Sequence, residues 1–257
     1  MTAIHPRSGP LTDAERATLV FGGGLVVFGD VPGLAAFRDV ADGMIRQAFG
    51  ADPERAHAEL AAAELSRRAA ELQRGFRRHD EAAATFREVL ADVGADIART
   101  CWDWLYLRVL PPHDRSVGDR LGGIGFHRDT WSSNVLAQTN WWTPLYAITE
   151  ERSLAFYPRY WSAPIANTSG SWDLEQREGR PLVPEPAQRV DARGELRMVV
   201  EPGDLLCFSG AQLHASVPNT SGLTRFSVEV RTVNLDDVAA GRGAPNVDGR
   251  APRVAWR

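Results

Sequence analysis

The stretch PGDLLCFSGAQLHASVPNTSGLTRFS, residues 202–227, decides how this chain is read. A Pro-Gly-Asp turn at 202–204 feeds the apolar run Leu205 to Phe208, and a short apolar run bounded by turn residues reads as a strand. The strand ends just before His214. The chain then enters TRFSVEVRTV, residues 224–233, which alternates strictly. Arg225, Ser227, Glu229 and Arg231 share one face of this strand, and Phe226, Val228 and Val230 share the other. The apolar face suits packing under helices, which turns the polar face toward the interior. A guanidinium held there is costly unless an anion neutralises it. The anion is either a bound ligand or a structural carboxylate, with Glu229 and Glu201 as the structural candidates. The ligand reading is preferred for Arg225; for Arg231 neither is preferred.

Working outward, short β-rich runs separated by Gly, Pro, Asn and Asp recur from Trp102 onward. They cover 102–110, 124–129, 136–148, 153–158, 196–200, 204–209 and 225–233. Such a series predicts a mostly β sandwich or jelly roll with added helices. The connection from Tyr160 to Gln188, rich in Pro, Gly, Ser and Trp, is long enough to serve as a functional loop or lid. Upstream, after the glycine-broken run Leu19 to Phe28, residues Leu34, Phe37, Ala41, Met44, Ile45 and Phe49 recur at helical spacing. Asp52 and Pro53 start a second helical run to Arg78, and a third helix after Asp80 carries Phe86, Val89, Leu90, Val93 and Ile97 on one face. Within the second run, SRRAAELQRGFRRHD (66–80) reads as a solvated helix face in preference to a docking surface for an acidic partner. One domain over 1–257 is expected, with a helical part at about 30–100, a β core at about 101–235 and a loosely ordered tail at 236–257.

Composition narrows the function classes. The 257 residues are 44% hydrophobic and 24% charged with a net charge of −4, enough for a full core and without the basic footprint that nucleic acid demands. The opening MTAIHPRSGPLTDAER lacks a basic-then-apolar layout, and no apolar run approaches the roughly 18 residues of a membrane span. A cytoplasmic protein without nucleic-acid or membrane partners is therefore expected. Cys101 and Cys207 form no framework and read as buried thiols.

The chemistry starts at FHRDTW, residues 126–131. If this is a strand, His127 and Asp129 share a face and converge on one ion, while Phe126 and Arg128 point away. A lone His-x-Asp means little. With His214 it becomes two imidazoles and a carboxylate, a set that leaves adjacent positions open on an octahedral metal and suits iron(II) better than zinc. Of the remaining histidines, His5 falls in a disordered-looking start, and His57, His79 and His113 read as surface residues.

These parts, in order, resemble the phytanoyl-CoA dioxygenase-like branch of the iron(II)/2-oxoglutarate oxygenases, over roughly Trp102 to Asn234. The resemblance rests on His-x-Asp, on NWWTPLYAI followed by ITEERSLAFYPRYW, and on the opening stretch. It implies a double-stranded β-helix, the jelly roll, with helices packed on one sheet. It also implies iron(II) as metal, and 2-oxoglutarate, dioxygen and a small molecule as partners. In this family the cosubstrate arginine stands eleven residues after the second histidine, where Arg225 stands here. Ser216 and Trp142 match positions near the same ligand, Ser227 shares the strand face, and Arg108 in LYLRVLPP is a looser candidate. TEERSL and YPRYW depart from the family's usual loop, which points to an unusual substrate. Asp129 keeps the carboxylate that halogenating relatives lack.

The resemblance further implies oxidative decarboxylation of 2-oxoglutarate coupled to hydrogen abstraction from substrate, ending in hydroxylation, desaturation, epimerisation or ring closure. Trp131, Trp141, Trp142, Trp161 and Trp172 cluster between the ligands. With Tyr160 they read as a stacking wall for a ring or sugar, and Gln138, Asn140 and Arg231 as polar contacts. A polar natural product, such as a glycoside or an oligosaccharide antibiotic intermediate, is the expected substrate. Two rivals are a cupin-like isomerase or epimerase without 2-oxoglutarate, and a non-catalytic carbohydrate-binding module.

Overall fold

The computed structural model describes residues 3–112, 123–172 and 182–252. In chain order the elements are β1 (Ile4–Arg7), α1 (Asp13–Phe21), β2 (Leu25–Phe28), α2 (Gly33–Phe49), α3 (Ala56–Glu59), α4 (Ala62–Phe76) and α5 (Asp80–Asp92). Then come β3 (Thr100–Trp102), β4 (Tyr106–Leu110), α6 (Thr130–Ser133), β5 (Gln138–Pro144), β6 (Leu154–Phe156), β7 (Leu196–Met198) and β8 (Leu205–Ser209). Last are β9 (His214–Ser216), β10 (Arg225–Asn234) and α7 (Leu235–Ala239).

Two sheets result. The larger runs β1-β2-β8-β5-β10-β3, with β4 also paired to β10; the smaller runs β7-β6-β9. Alternation along the large sheet assigns its faces. Val26, Phe28, Trp141, Leu205, Cys207, Phe226, Val228 and Val230 pack with the buried stripes of α2, α4 and α5 into one core. Their chain neighbours Leu25, Trp142, Leu206 and Phe208 face the other way and meet Leu154, Phe156 and Met198 of the small sheet. The apolar face of β10 thus packs under helices as its sequence predicts. The two sheets face each other across a second, smaller core, but among the described residues they do not close into one continuous barrel. On the small sheet, an isolated bridge adds His127 alongside His214 of β9.

Several local expectations are corrected. The 124–129 run is no strand beyond that bridge, and the 102–110 run breaks into β3 and β4. The supposedly disordered start holds β1, which pairs in parallel with β2, and β2 in turn pairs with β8. The run after Asp52 is a 3-10 turn at Pro53–Arg55, then α3 and α4, and Asp52 makes no capping bond. His57 is buried, its Nδ1 3.0 Å from the Thr224 hydroxyl, and His79 caps α5 by accepting from the Ala82 N–H. Cys101 is exposed at the sheet edge, whereas Cys207 is buried. The tail is tied down: the Asp248 carboxylate accepts from Trp131 Nε1 at 2.6 Å and from the Ile165 N–H at 3.0 Å. His113 lies outside the described residues. No helix among the described residues is long and apolar enough to cross a membrane.

Candidate active site

The backbone brings the two histidines together. His127 N–H donates to the His214 carbonyl and His214 N–H to the His127 carbonyl, each at 3.0 Å, so the rings stand side by side with centroids 4.2 Å apart. Asp129 joins them by a turn, since its backbone is helical and it stands at the N-cap position of α6 without a side-chain capping bond. Spacing along a strand is therefore not what makes the triad converge. His127 Nε2 lies 3.9 Å from Asp129 Oδ1, and His214 Nε2 lies 3.7 Å from Asp129 Oδ2. One ligand atom from each residue falls within 4.8 Å of the others, and all three residues are buried.

Hydrogen bonds fix the donor atoms. His127 Nδ1 lies 2.8 Å from the Gly125 carbonyl and His214 Nδ1 3.0 Å from the Gln212 carbonyl. A carbonyl only accepts, so each Nδ1 carries a hydrogen and each Nε2 is the atom left facing the space beside Asp129. Burial, then the neighbouring His214, pushes His127 down to about 3, which keeps the ring neutral and ready to ligate. Burial alone would raise the Asp129 carboxyl, but the two imidazoles, Arg231 and an Asn140 bond together hold it below its ordinary value. This donor set, two imidazoles held by their Nδ1 atoms and an ionised carboxylate, fits iron(II).

Behind the triad runs a relay of side-chain bonds. Ser133 Oγ donates to Gln138 Oε1 at 2.8 Å, Gln138 Nε2 to Asn140 Oδ1 at 2.8 Å, and Asn140 Nδ2 to Asp129 Oδ2 at 2.5 Å. Gly210 must be glycine here, because a Cβ would sit 2.7 Å from the Gln138 amide. On the other side, Arg231 pairs with Asp103 at 2.6 Å, donates to the Tyr106 hydroxyl at 2.7 Å, and reaches within 3.7 Å of Asp129. Burial pushes Asp103 up to about 6, and Arg231 works against that rise.

A cavity of about 320 Å³ opens onto both imidazoles, and Trp142, Ser216, Arg225, Arg108, Glu229 and Tyr106 contribute to its walls. Arg225 is buried in it. Its guanidinium donates to the Ser153 carbonyl at 2.8 Å and to Ser216 Oγ at 3.4 Å, and sits 5.9 Å from the Trp142 ring centroid. Its Nε has no partner, and among the described residues no carboxylate lies within 4.0 Å of it. Burial, then Arg108, lowers it to about 10, so it stays charged at neutral pH. A buried cation is costly unless an anion neutralises it. That fits a dicarboxylate chelated at the metal.

The sequence profile described as phytanoyl-CoA dioxygenase matches residues 34–227, well over half of the chain. The chain belongs to the phytanoyl-CoA dioxygenase family. It is an iron(II)- and 2-oxoglutarate-dependent dioxygenase, with His127, Asp129 and His214 as its metal triad. The match takes in the helices as well as the sheets. A crystal structure of EvdO2 from Micromonospora carbonacea var. aurantiaca aligns over 89% of this chain and 94% of that one, with TM-score 0.52 and 15% identity. The EvdO2 complex with 2-oxoglutarate aligns over 88% and 92%, with TM-score 0.50 and 14% identity. At such identity the likeness speaks for the fold. The epimerase SnoN, crystallised with Fe3+, alpha ketoglutarate and nogalamycin RO, aligns over 88% and 92% at TM-score 0.46 and 15% identity. An alignment with EvdMO1 spans 58% of this chain but 30% of that one, at TM-score 0.37 and 19% identity. No protein of curated function matches by sequence.

The oxygenase places its remaining sequence candidates unevenly. Arg225, Ser216, Trp142 and Arg108 share the cavity with the metal ligands. Ser227 is fully buried on β10 and its Oγ is unpartnered. The stacking wall is not formed. Trp131 is fully buried against Tyr157, Tyr160 and Leu213, Trp141 faces the helices, and Trp161 lies over Gly23. Adjacent residues on a strand point to opposite faces, so Trp141 and Trp142 cannot line one wall. Gln138 and Asn140 are fully buried and spend their amides on the relay, so they hold Asp129 instead of touching substrate. Arg231 meets Asp103, neither Glu229 nor Glu201. Sequence reasoning missed Ser133, Asp103, Tyr106, the α4 residues Gln73 and Arg74, and the α4 C-cap Arg77, of which Tyr106, Gln73, Arg74 and Arg77 also line the cavity. For Tyr106 the signal was available, because the alternation along β4 sets it on the same face as Arg108.

Proposed function

We propose that this oxygenase oxidises a C–H bond of a small polar natural product such as a glycoside, by hydroxylation, ring closure, desaturation or epimerisation. In this reading its two sheets are the walls of the family's double-stranded β-helix, and residues 1–257 act as one domain. The observation that carries the reading is Arg225, a buried cation with no carboxylate within 4.0 Å among the described residues, in the same cavity as the two imidazoles.

The chain's own groups divide the work. His127 and His214 present Nε2, and Asp129 presents a carboxylate that Asn140 orients. Arg225 receives the distal carboxylate of 2-oxoglutarate, with Ser216 as a further donor and Trp142 as an apolar wall. Iron(II), 2-oxoglutarate and dioxygen supply the oxidising power, releasing succinate and carbon dioxide. The cavity, about 320 Å³, admits a molecule of modest size beside the cosubstrate.

A screen of glycosides and related polar metabolites, read as succinate formed above the substrate-free background, tests this. A coupled substrate oxidised only when 2-oxoglutarate is present is the expected result. Turnover indifferent to omission of 2-oxoglutarate would instead favour the isomerase.

A further inference from the structure

The arginine-rich helix α4 does two different things along its length. Arg67 is consumed by Glu64 at 2.8 Å and Glu71 at 2.7 Å, and Arg68 by Glu64 at 2.6 Å and the Ala48 carbonyl at 3.0 Å. That half is the solvated face that the sequence suggests. Arg74 and Arg77 differ. They stand one turn apart on the same side, and among the described residues neither has a carboxylate within 4.0 Å. Both line the outer part of the cavity that holds the metal triad, beside Gln73. The Arg77 guanidinium lies 4.8 Å from the Tyr106 ring centroid and that of Arg108 lies 5.3 Å from it, so one ring supports both cations at the rim.

The charges of the site can be assigned from the metal outward. Iron(II) with Asp129, and Arg225 with the dianion of 2-oxoglutarate, cancel one another. Arg108 is faced by Glu229 at 3.6 Å. Among the described residues Arg74 and Arg77 remain, two positive charges lining a partly enclosed cavity, where low-dielectric walls focus the field. Their planar forks suit the oxygens of a carboxylate, sulfate or phosphate.

We propose that Arg74 and Arg77 recognise an anionic group carried by the substrate, so that the polar molecule oxidised here is an acid, a sulfate ester or a phosphate ester. This rests on the function proposed above and narrows its substrate class.

Anaerobic calorimetry on protein saturated with iron(II) and 2-oxoglutarate separates the possibilities, with phenyl phosphate and phenyl β-glucoside as probes of matched ring. Phenyl phosphate is expected to bind the native protein about ten-fold more tightly, as charge-assisted hydrogen bonds imply. Arg74→Gln with Arg77→Gln should remove that preference while glucoside binding stays. Both positions are exposed, Arg74 in the last turn of α4 and Arg77 at its C-cap, and an unchanged circular dichroism spectrum and Tm would show that the double variant is folded. Equal affinity for the two probes in the native protein overturns the proposal, as does phosphate binding that survives the double substitution. A parallel loss of 2-oxoglutarate affinity by the same factor also overturns it, because the arginines would then serve cosubstrate entry. If the native protein takes up no 2-oxoglutarate at all, the functional reading fails instead.

Discussion

The two ends of the cavity, one at the metal triad and the other at Arg225, are built on opposite terms. At the metal end both Nδ1 atoms, the Asp129 Oδ2 and the Gln138 and Asn140 amides are tied by hydrogen bonds within the chain. At the other end Arg225 Nε and Ser227 Oγ are buried without partners, and the guanidinium has no carboxylate within reach among the described residues. One end is tied within the chain, and the other keeps buried polar atoms without protein partners among the described residues. Stability and function therefore separate along one cavity: satisfied groups set geometry, and unsatisfied ones mark where a ligand belongs.

Substitutions should break this contrast in a definite order. Asp129→Ala removes the sole carboxylate of the triad and should weaken iron(II) binding by at least about a hundred-fold, beyond the range seen when supporting groups around a metal site are lost. Competition with a chelator of known affinity measures it. Arg225→Ala should raise the 2-oxoglutarate concentration needed for half-saturation by about a hundred-fold or more, since truncating one member of a buried ion pair costs roughly 3–5 kcal/mol. Iron affinity measured in the same variant should hold, and a matching fall there would erase the distinction between the ends. Asn140→Ala should act the other way, lowering iron affinity by about 10- to 100-fold while iron-loaded protein keeps its 2-oxoglutarate affinity.

The smallest effect is in the metal-free protein. His127 falls from an ordinary 6.5 to about 3 on folding, so the unfolded chain binds the extra proton between those values. Stability from this ring is present above about pH 6.5 and is lost as pH falls toward 3, at about 1.4 kcal/mol per pH unit. Melting curves of the metal-free protein should change little from this ring above pH 7 and approach that slope between about pH 5.5 and 4.5, and His127→Gln should reduce it. An unchanged slope would mean that the ring is not held neutral.

What the sequence revealed depended on how local the determining physics was. The alternation of β10 placed Phe226, Val228 and Val230 under the helices and Arg225 inward, because side-chain direction along a strand depends on nothing beyond the strand. His127 and Asp129 were found for their chemistry, yet the strand spacing first invoked was not the cause. Asp129 turns in helical backbone, and the His127–His214 backbone pair, formed across the fold, does the assembling. Gln138 and Asn140 were picked out as polar groups near the site, but their targets, Ser133 and Asp129, follow from packing between elements. β1 and β2 were hidden for the same reason, since β2 pairs with β8 from the far end of the chain. So was Asp248, whose partners Trp131 and Ile165 fix a tail that composition alone makes look loose.

The most direct test of the two-ended cavity is the visible spectrum of anaerobic protein loaded with iron(II) as 2-oxoglutarate is added. A weak charge-transfer band that saturates with one equivalent in the native protein, and that needs far more cosubstrate in Arg225→Ala, is the predicted result. Iron-loaded native protein that develops no band would contradict the assignment of both ends.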